Sequence, residues 1–328
     1  MIAVYGMKNK KIKQLISSIT TLTADEILSL EQAVKTRKSQ LDSSILLQKK
    51  SESVKACPSC GSVSFRKFGI RSGKQRFKCN EKECGRTFTA LSDTPFARIR
   101  HLDKHIENAK CMIQGLTVRD TAERVGVHRN TAFRWRHRFL TQIEILQPEM
   151  LGGIVEADET YFLQSFKGQR GKNKTKANLG RNPKTRGTPA EKRGLSDEQI
   201  PVLVVRDRGT GETLSKVIAS RTANDLGNVI KPILAHDAEL ITDSATAYRS
   251  MAKKYRVSLK VVPRNKKHKT VGMLHINNVN AYDSRLKDWM IRFKGVATKY
   301  LPNYLGWHRL TDSQKKLQAK KFLSIAIG

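Results

Sequence analysis

Four of the five cysteines fall between Cys57 and Cys84, as a C-x2-C pair and a C-x4-C pair separated by eighteen residues. That spacing is the ligand pattern of a tetrahedral zinc site, and a segment this short has too little apolar material to fold without the metal. Phe65, Phe68 and Phe77 flank the turn-like pair Ser72-Gly73, which predicts a short β-hairpin carrying one cysteine knuckle at each end. The expectation is a zinc ribbon over residues 53–92, with one structural Zn²⁺ held by Cys57, Cys60, Cys79 and Cys84. An odd, sparse cysteine count points to a reduced compartment rather than disulfides, and Cys111, which stands apart, reads as a small core residue.

Charge narrows the partner. The chain has 328 residues with 62 Lys plus Arg against 29 Asp plus Glu, a net charge of +33, and a pI near 10.2. A field of that sign attracts polyanions, so nucleic acid is the expected partner. Hydrophobic residues make up 38%, no apolar run approaches the ~18 residues of a spanning helix, and no signal-peptide core precedes the ribbon. A cytoplasmic protein, nucleoid-associated when bound to DNA, is expected. The length suggests about two domains and a small extra module. Within residues 1–52, Ile27, Leu28, Leu30, Val34 and Leu41 recur near helical spacing behind Thr23, Asp25 and Glu26, which predicts an N-terminal helical region.

Residues 93–147 carry the punctuation of a helix-turn-helix. Thr117 with Asp120 three residues on caps a first helix whose inward face is Val118, Ala122 and Val125; Gly126 breaks it. A second helix from about Arg129 places Ala132, Trp135 and Phe139 on one stripe and leaves Arg129, Asn130, Arg134, Arg136 and Arg138 largely outward. Arginine and asparagine at the start of a recognition helix suit base edges, and further arginines suit phosphates, so these five are the expected DNA-binding residues.

From Ile154 the pattern becomes α/β. Residues 154–162, 200–207, 238–243 and 259–263 read as strands, residues 222–235 as a helix, and a further helix begins near Ile276. The stretch 165–199 is dense in Lys, Arg, Gly and Asn and reads as a basic insertion; 313–328 reads as a basic tail. Asp158 and Asp243 fall where strands end, and a pair of carboxylates on adjacent strands makes an oxygen-rich site for Mg²⁺ or Mn²⁺. On the following helix, Lys287 returns to nearly the face of Asn280, with Asp283 about 60° to one side. An amide, a carboxylate and an ammonium thus come from one helical surface. Phe293, Tyr300, Tyr304 and Trp307 recur at near-helical spacing, a pattern more common in cores than in base-stacking surfaces.

EADETYF, ELITDSATAY and HINNVNAYDSRLK, following a CPSC ribbon and a helix-turn-helix, resemble the bacterial insertion-sequence transposases of the DDE superfamily, specifically insertion-sequence family 1595. The resemblance runs from about Cys57 to Arg309. It implies an RNase H-like mixed-sheet catalytic domain over 148–312, a site with two Mg²⁺ or Mn²⁺ ions, and cleavage and joining of DNA strands. Carried over by residue, the first acid is Asp158, the second Asp243 and the third position Asn280, followed by Lys287. Many superfamily members have Glu at the third position, while some branches of this family resemble the present chain in having Asn there; Asp283 enters as a candidate for supporting the site, and His275 matches the family's histidine just upstream. The implied partners are terminal inverted repeats and target DNA, bound by at least a dimer. A regulator that binds DNA without cutting it, and a nuclease that recognises DNA structure, stay open as alternatives.

Overall fold

The computed structural model describes residues 10–168, 196, 198–263, 272–314 and 316–328. Most of the basic insertion, 169–195 and 197, lies outside the described residues. The chain divides into two compact units, Met1–Lys110 and Cys111–Gly328.

The first unit opens with helices α1 (Lys10–Ser18) and α2 (Ala24–Glu52). Thr23 and Glu26 close a reciprocal capping box at the start of α2, the signal expected from sequence. Ile27, Leu28, Leu30, Val34 and Leu41 are all exposed, so the apolar periodicity of α2 is not spent on a core within this unit. A three-stranded antiparallel sheet follows: β1 (Phe65–Arg71), β2 (Lys74–Cys79) and β3 (Thr87–Thr89), in that order. Phe65, Phe77 and Phe88, one from each strand, pack ring to ring with centroids 5.5–5.6 Å apart, a minimal core. Phe68 is exposed instead, with the Arg76 guanidinium 5.1 Å from its ring.

Helix α3 (His105–Ile113) leads into the second unit, where α4 (Val118–Val125) and α5 (Arg129–Ile145) form the helix-turn-helix. Thr117 and Asp120 form the capping box, and Gly126 ends α4 in the left-handed conformation at φ 65°, which favours glycine.

The rest of the unit is built on a five-stranded sheet. Its strands are β4 (Ile154–Leu163), β5 (Gln199–Asp207), β6 (Thr213–Val217), β7 (Glu239–Thr242) and β8 (Ser258–Val261), ordered β6-β5-β4-β7-β8. The β4–β5 and β5–β6 pairs are antiparallel, while β4–β7 and β7–β8 are parallel. This is the mixed sheet of an RNase H-like fold. Strand β6, absent from the sequence reading, completes its antiparallel half.

Alternation along the strands divides the side chains between two apolar layers. On one face Val155, Ala157, Leu203 and Val205 pack with α6 (Ala223–Ile230) and α7 (Thr246–Tyr255) through Leu226, Ile230, Tyr248 and Met251. On the other, Val202 and Val204 meet α8 (Asn277–Ile291) and α9 (Leu301–Ser313) through Val279, Tyr282, Leu286, Leu301 and Leu305. Each fully buried side chain of this size stabilises the fold by roughly 1.5–3 kcal/mol.

Phe293, Tyr304 and Trp307 are buried in one aromatic cluster with Trp289, and Tyr300 stacks on His137, so this segment is core as expected. Gly306 lets α9 approach α5 closely: a Cβ there would lie 2.8 Å from the Glu144 Cα. The stretch read as a basic tail contains α10 (Ala319–Ile327), whose Phe322, Leu323, Ala326 and Ile327 are buried. Its lysines hid a short amphipathic pattern.

Candidate active site and nucleic-acid interface

Register brings the two aspartates together. Ala157 pairs with Thr242 at the end of the parallel β4–β7 ladder, so Asp158 and Asp243 each stand one residue beyond that pair. The Glu159 N–H donates to Asp158 Oδ1 at 2.8 Å, and the Ala245 N–H to Asp243 Oδ1 at 3.0 Å, the turn that launches α7. Both side chains are half-buried. Burial pushes the Asp158 carboxyl above its usual range, and the charge of Asp243 adds to the shift. Lys287 and Arg221 oppose it.

Two side chains that the sequence reading passed over hold this site in place. Glu156, fully buried on the same face of β4 as Asp158, anchors the entry to α8. Its Oε2 accepts the Val279 N–H at 2.9 Å, and its Oε1 accepts Asn278 Nδ2 at 2.9 Å and Arg208 Nε at 2.8 Å. The helix has no side-chain cap of its own at Ile276, so a strand carboxylate does that work and suits the positive end of the helix dipole. His275 belongs to this anchor: Nδ1 lies 3.4 Å from Glu156 Oε1, and the carbonyl oxygen accepts Arg208 Nη2 at 3.0 Å. On the opposite face of β4, Glu159 pairs with Arg221 at 2.8 Å beside the buried Tyr248.

Anchored this way, α8 crosses the Asp158 face of the sheet. Asn280 and Lys287 are exposed, while Asp283 is buried. Burial pushes the Asp283 carboxyl up to about 7, helped by the charge of Asp158 and opposed by Lys287. In the unfolded chain that carboxyl titrates near 3.8, so between about pH 4 and pH 7 the folded state holds a proton the unfolded state has lost. Stability of the metal-free chain therefore falls as pH rises through that window. Urea unfolding is expected to show a loss of up to about 3 kcal/mol between pH 5 and pH 8, and Asp283→Asn flattens the profile. An unchanged slope in that variant would assign the dependence elsewhere.

Among the described residues, the one group of three or more potential ligands with all donor atoms within 4.8 Å is Cys57, Cys60, Cys79 and Cys84. Gly61 and Gly85, at φ 76° and 52°, follow Cys60 and Cys84 and turn the two knuckles. The Gly61 N–H returns to the Cys57 carbonyl at 2.8 Å and the Gly85 N–H to that of Glu81 at 2.9 Å. Four sulfurs this close together are suited to hold one soft or borderline metal ion in a tetrahedral site.

On α5, Arg129, Asn130, Arg134 and Arg138 are exposed, as expected of a recognition helix. Arg136 is not among them. It is 1% exposed, donates to the Leu116 carbonyl at 2.6 Å and Thr121 Oγ1 at 3.2 Å, and lies 5.0 Å from the Trp307 ring. The reading of Arg136 as DNA-facing is corrected: with Trp135 and Phe139 it belongs to the packed side of the helix, and its charge is spent holding α4 to α5. Arg136→Ala is expected to cost about 3 kcal/mol of stability by urea denaturation. Arg134→Ala leaves stability within about 0.5 kcal/mol and lowers the slope of log affinity against log salt by about one. Equal effects of the two variants on stability would reject this division.

Residues 150–307 match the ISXO2-like transposase domain and residues 109–144 match the homeodomain-like domain. The chain is 29% identical over 255 residues to the "Uncharacterized protein in transposable element ISH50" of Halobacterium salinarum, covering 76% of this chain and 82% of that one. Among solved structures it resembles a chain of the simian T-cell lymphotropic virus intasome in complex with PP2A regulatory subunit B56 gamma, at 12% identity, TM-score 0.29, and 61% and 67% coverage of this chain and that one. It also resembles a chain of a pre-cleavage Mos1 transpososome, at 14% identity, TM-score 0.20, and 64% and 77% coverage.

Proposed function

We propose that the chain, whose residues 150–307 match the ISXO2-like transposase domain, acts as a transposase of insertion-sequence family 1595 that cuts and joins the ends of a mobile element in a metal-dependent reaction at Asp158 and Asp243. The observation that carries this reading is the convergence of the two aspartates past the end of the β4–β7 ladder, under a helix that brings Asn280 and Lys287 to the same surface. Two half-buried carboxylates standing next to one another are suited to hard divalent cations. Two Mg²⁺ or Mn²⁺ ions bound there would activate an attacking oxygen and stabilise the leaving one in phosphodiester chemistry.

The chain's own residues do the rest. Asp158 and Asp243 hold the ions, with Asn280 at the third position of the family pattern, and Lys287 contacts a phosphate oxygen as a point charge. Glu156 and His275 fix where α8 begins, and so where Asn280 and Lys287 stand. Arg129 and Asn130 read base edges at the start of α5, and Arg134 and Arg138 hold phosphates. One Zn²⁺ on the four cysteines folds the ribbon as a second DNA contact. Pairing of two ends requires at least a dimer on DNA.

The test is incubation of the purified chain with labelled DNA carrying the element end, with Mg²⁺, with Mn²⁺ and with neither. A metal-dependent nick at the end, followed by a joined product, is expected. Tight end binding without cutting under either metal would instead identify a DNA-binding regulator. Cutting that ignores the terminal sequence would identify a structure-specific nuclease.

A further inference from the structure

The ribbon sheet has two faces, and its phenylalanine core uses one of them. Phe77 pairs with Phe88 across β2 and β3, so alternation turns Arg76, Lys78, Thr87 and Thr89 to the other. Arg66, opposite Lys78 on β1, joins them. Phe68 stands there too. It is 40% exposed, with the Arg76 guanidinium 5.1 Å and the Lys78 ammonium 5.5 Å from its ring centroid. A large apolar ring held at the surface by two cations adds nothing to the three-ring core. It offers a face on which a nucleic-acid base can stack, beside charges that hold phosphates.

Beside this face lies a cleft of about 870 Å³, in the size range of ligand-holding clefts. Its basic lining is Arg71, Lys74 and Arg76 from the hairpin and Arg98, Arg100 and His101 from the segment after β3. Lys74 Nζ ties the two walls together by donating to the Ile99 carbonyl at 3.3 Å. Among the described residues, none of Arg71, Arg76, Lys78, Arg98 and Arg100 has an acid within ion-pair distance, so their charges are open to an outside anion. The wall itself is strained. Asp93, Arg98 and His101 hold φ of 62°, 58° and 57°, a left-handed conformation that costs residues other than glycine conformational energy and that collects at binding sites. A duplex hides its base faces in its own stack, so a ring such as that of Phe68 reaches one only on an unpaired strand.

We propose that the outer face of the ribbon and its cleft bind an unpaired DNA strand, with one base stacked on Phe68 and the phosphates held by Arg71, Arg76, Arg98 and Arg100. The inference rests on the reading of the ribbon as a DNA contact. It adds which face is used and which form of DNA that face takes.

The zinc-loaded full chain, without Mg²⁺ or Mn²⁺, is titrated into a short fluorescein-labelled strand with no self-complementarity and, separately, into the duplex of the same sequence, and binding is read by anisotropy. Phe68→Ala is expected to weaken strand binding at least about fivefold, while Phe68→Trp, which restores a stacking ring, stays within about twofold of the unaltered chain. Duplex affinity is expected to move by less than about twofold in both, with zinc content and melting temperature unchanged. Arg100→Ala is expected to lower the salt slope of strand binding by about 0.7. Strand affinity unchanged in Phe68→Ala but reduced in Arg100→Ala would overturn the stacking site and leave the ribbon a phosphate contact. No effect of either variant on strand or duplex would remove the ribbon from DNA binding, and the inference with it. Duplex binding with no strand binding at all would also overturn the inference, while leaving the chain a DNA-binding protein.

Discussion

Asp158→Ala and Asp243→Ala each abolish metal-dependent nicking of an element end, by on the order of 10⁴-fold, the scale seen when one member of a catalytic constellation is removed. That corresponds to about 5 kcal/mol of lost transition-state stabilisation. Two features of the site make the effect large and local. The side chains stand side by side past the last pair of the parallel ladder, so on the proposed function each would depend on the other to hold cations at a fixed point. Among the described residues, neither carries a hydrogen bond to a distant element: Asp158 accepts from the next residue's N–H, and Asp243 from the N–H two residues on. Removing Asp158 relieves a burial cost and a like-charge repulsion, so its variant is expected to be at least as stable as the parent by urea denaturation. End binding, carried by arginines on α5 and by phosphate contacts, should stay within about threefold in a mobility-shift assay. A variant that keeps its nicking activity would remove that aspartate from the site; one that loses binding and activity together would mean the acids shape the fold instead.

Removing the metal from the cysteine cluster has the larger thermodynamic consequence. Apart from the sulfurs, the ribbon core is three phenylalanine rings and Val54. Aromatic pairs of this kind contribute roughly 0.5–1.5 kcal/mol each beyond their burial, whereas a structural Zn²⁺ contributes about 10–16 kcal/mol of apparent binding energy. Chelation, or Cys79→Ser, is therefore expected to unfold residues 57–90. The β1–β2 amides should lose hydrogen-exchange protection, while β4 and β5, in the other unit, keep theirs. End binding should weaken with the unfolding. Protected β1–β2 amides in excess chelator would show that the phenylalanines suffice.

Much of this was legible in the sequence because it is written in local patterns. Cysteine spacing, the capping residues Thr117 and Asp120, the glycine at 126 and the period-two runs of β4 and β5 each act over a few residues, and each has one inexpensive structural solution. Asp243 follows the end of β7, as expected of such residues, but Asp158 does not stand at a strand end: it lies within β4, five residues before Leu163, and meets Asp243 because β7 stops short beside it. Arg136 was misread because helical spacing alone does not say how wide the packed stripe is. Its inward position was decided by a carbonyl at Leu116 and an aromatic ring at Trp307, the latter 171 residues away along the chain. The anchoring of α8 by Glu156 was equally invisible, since it joins groups more than a hundred residues apart.

By itself, then, the sequence determined the cysteine knuckles, the helix-turn-helix and the α/β character, since these follow from neighbours along the chain. Only the tertiary structure decided that Arg136 is a core residue, that α10 is packed rather than a loose tail, and that Asp283 is buried on α8. Burial and pairing are properties of whichever surfaces meet, and long-range packing selects those surfaces.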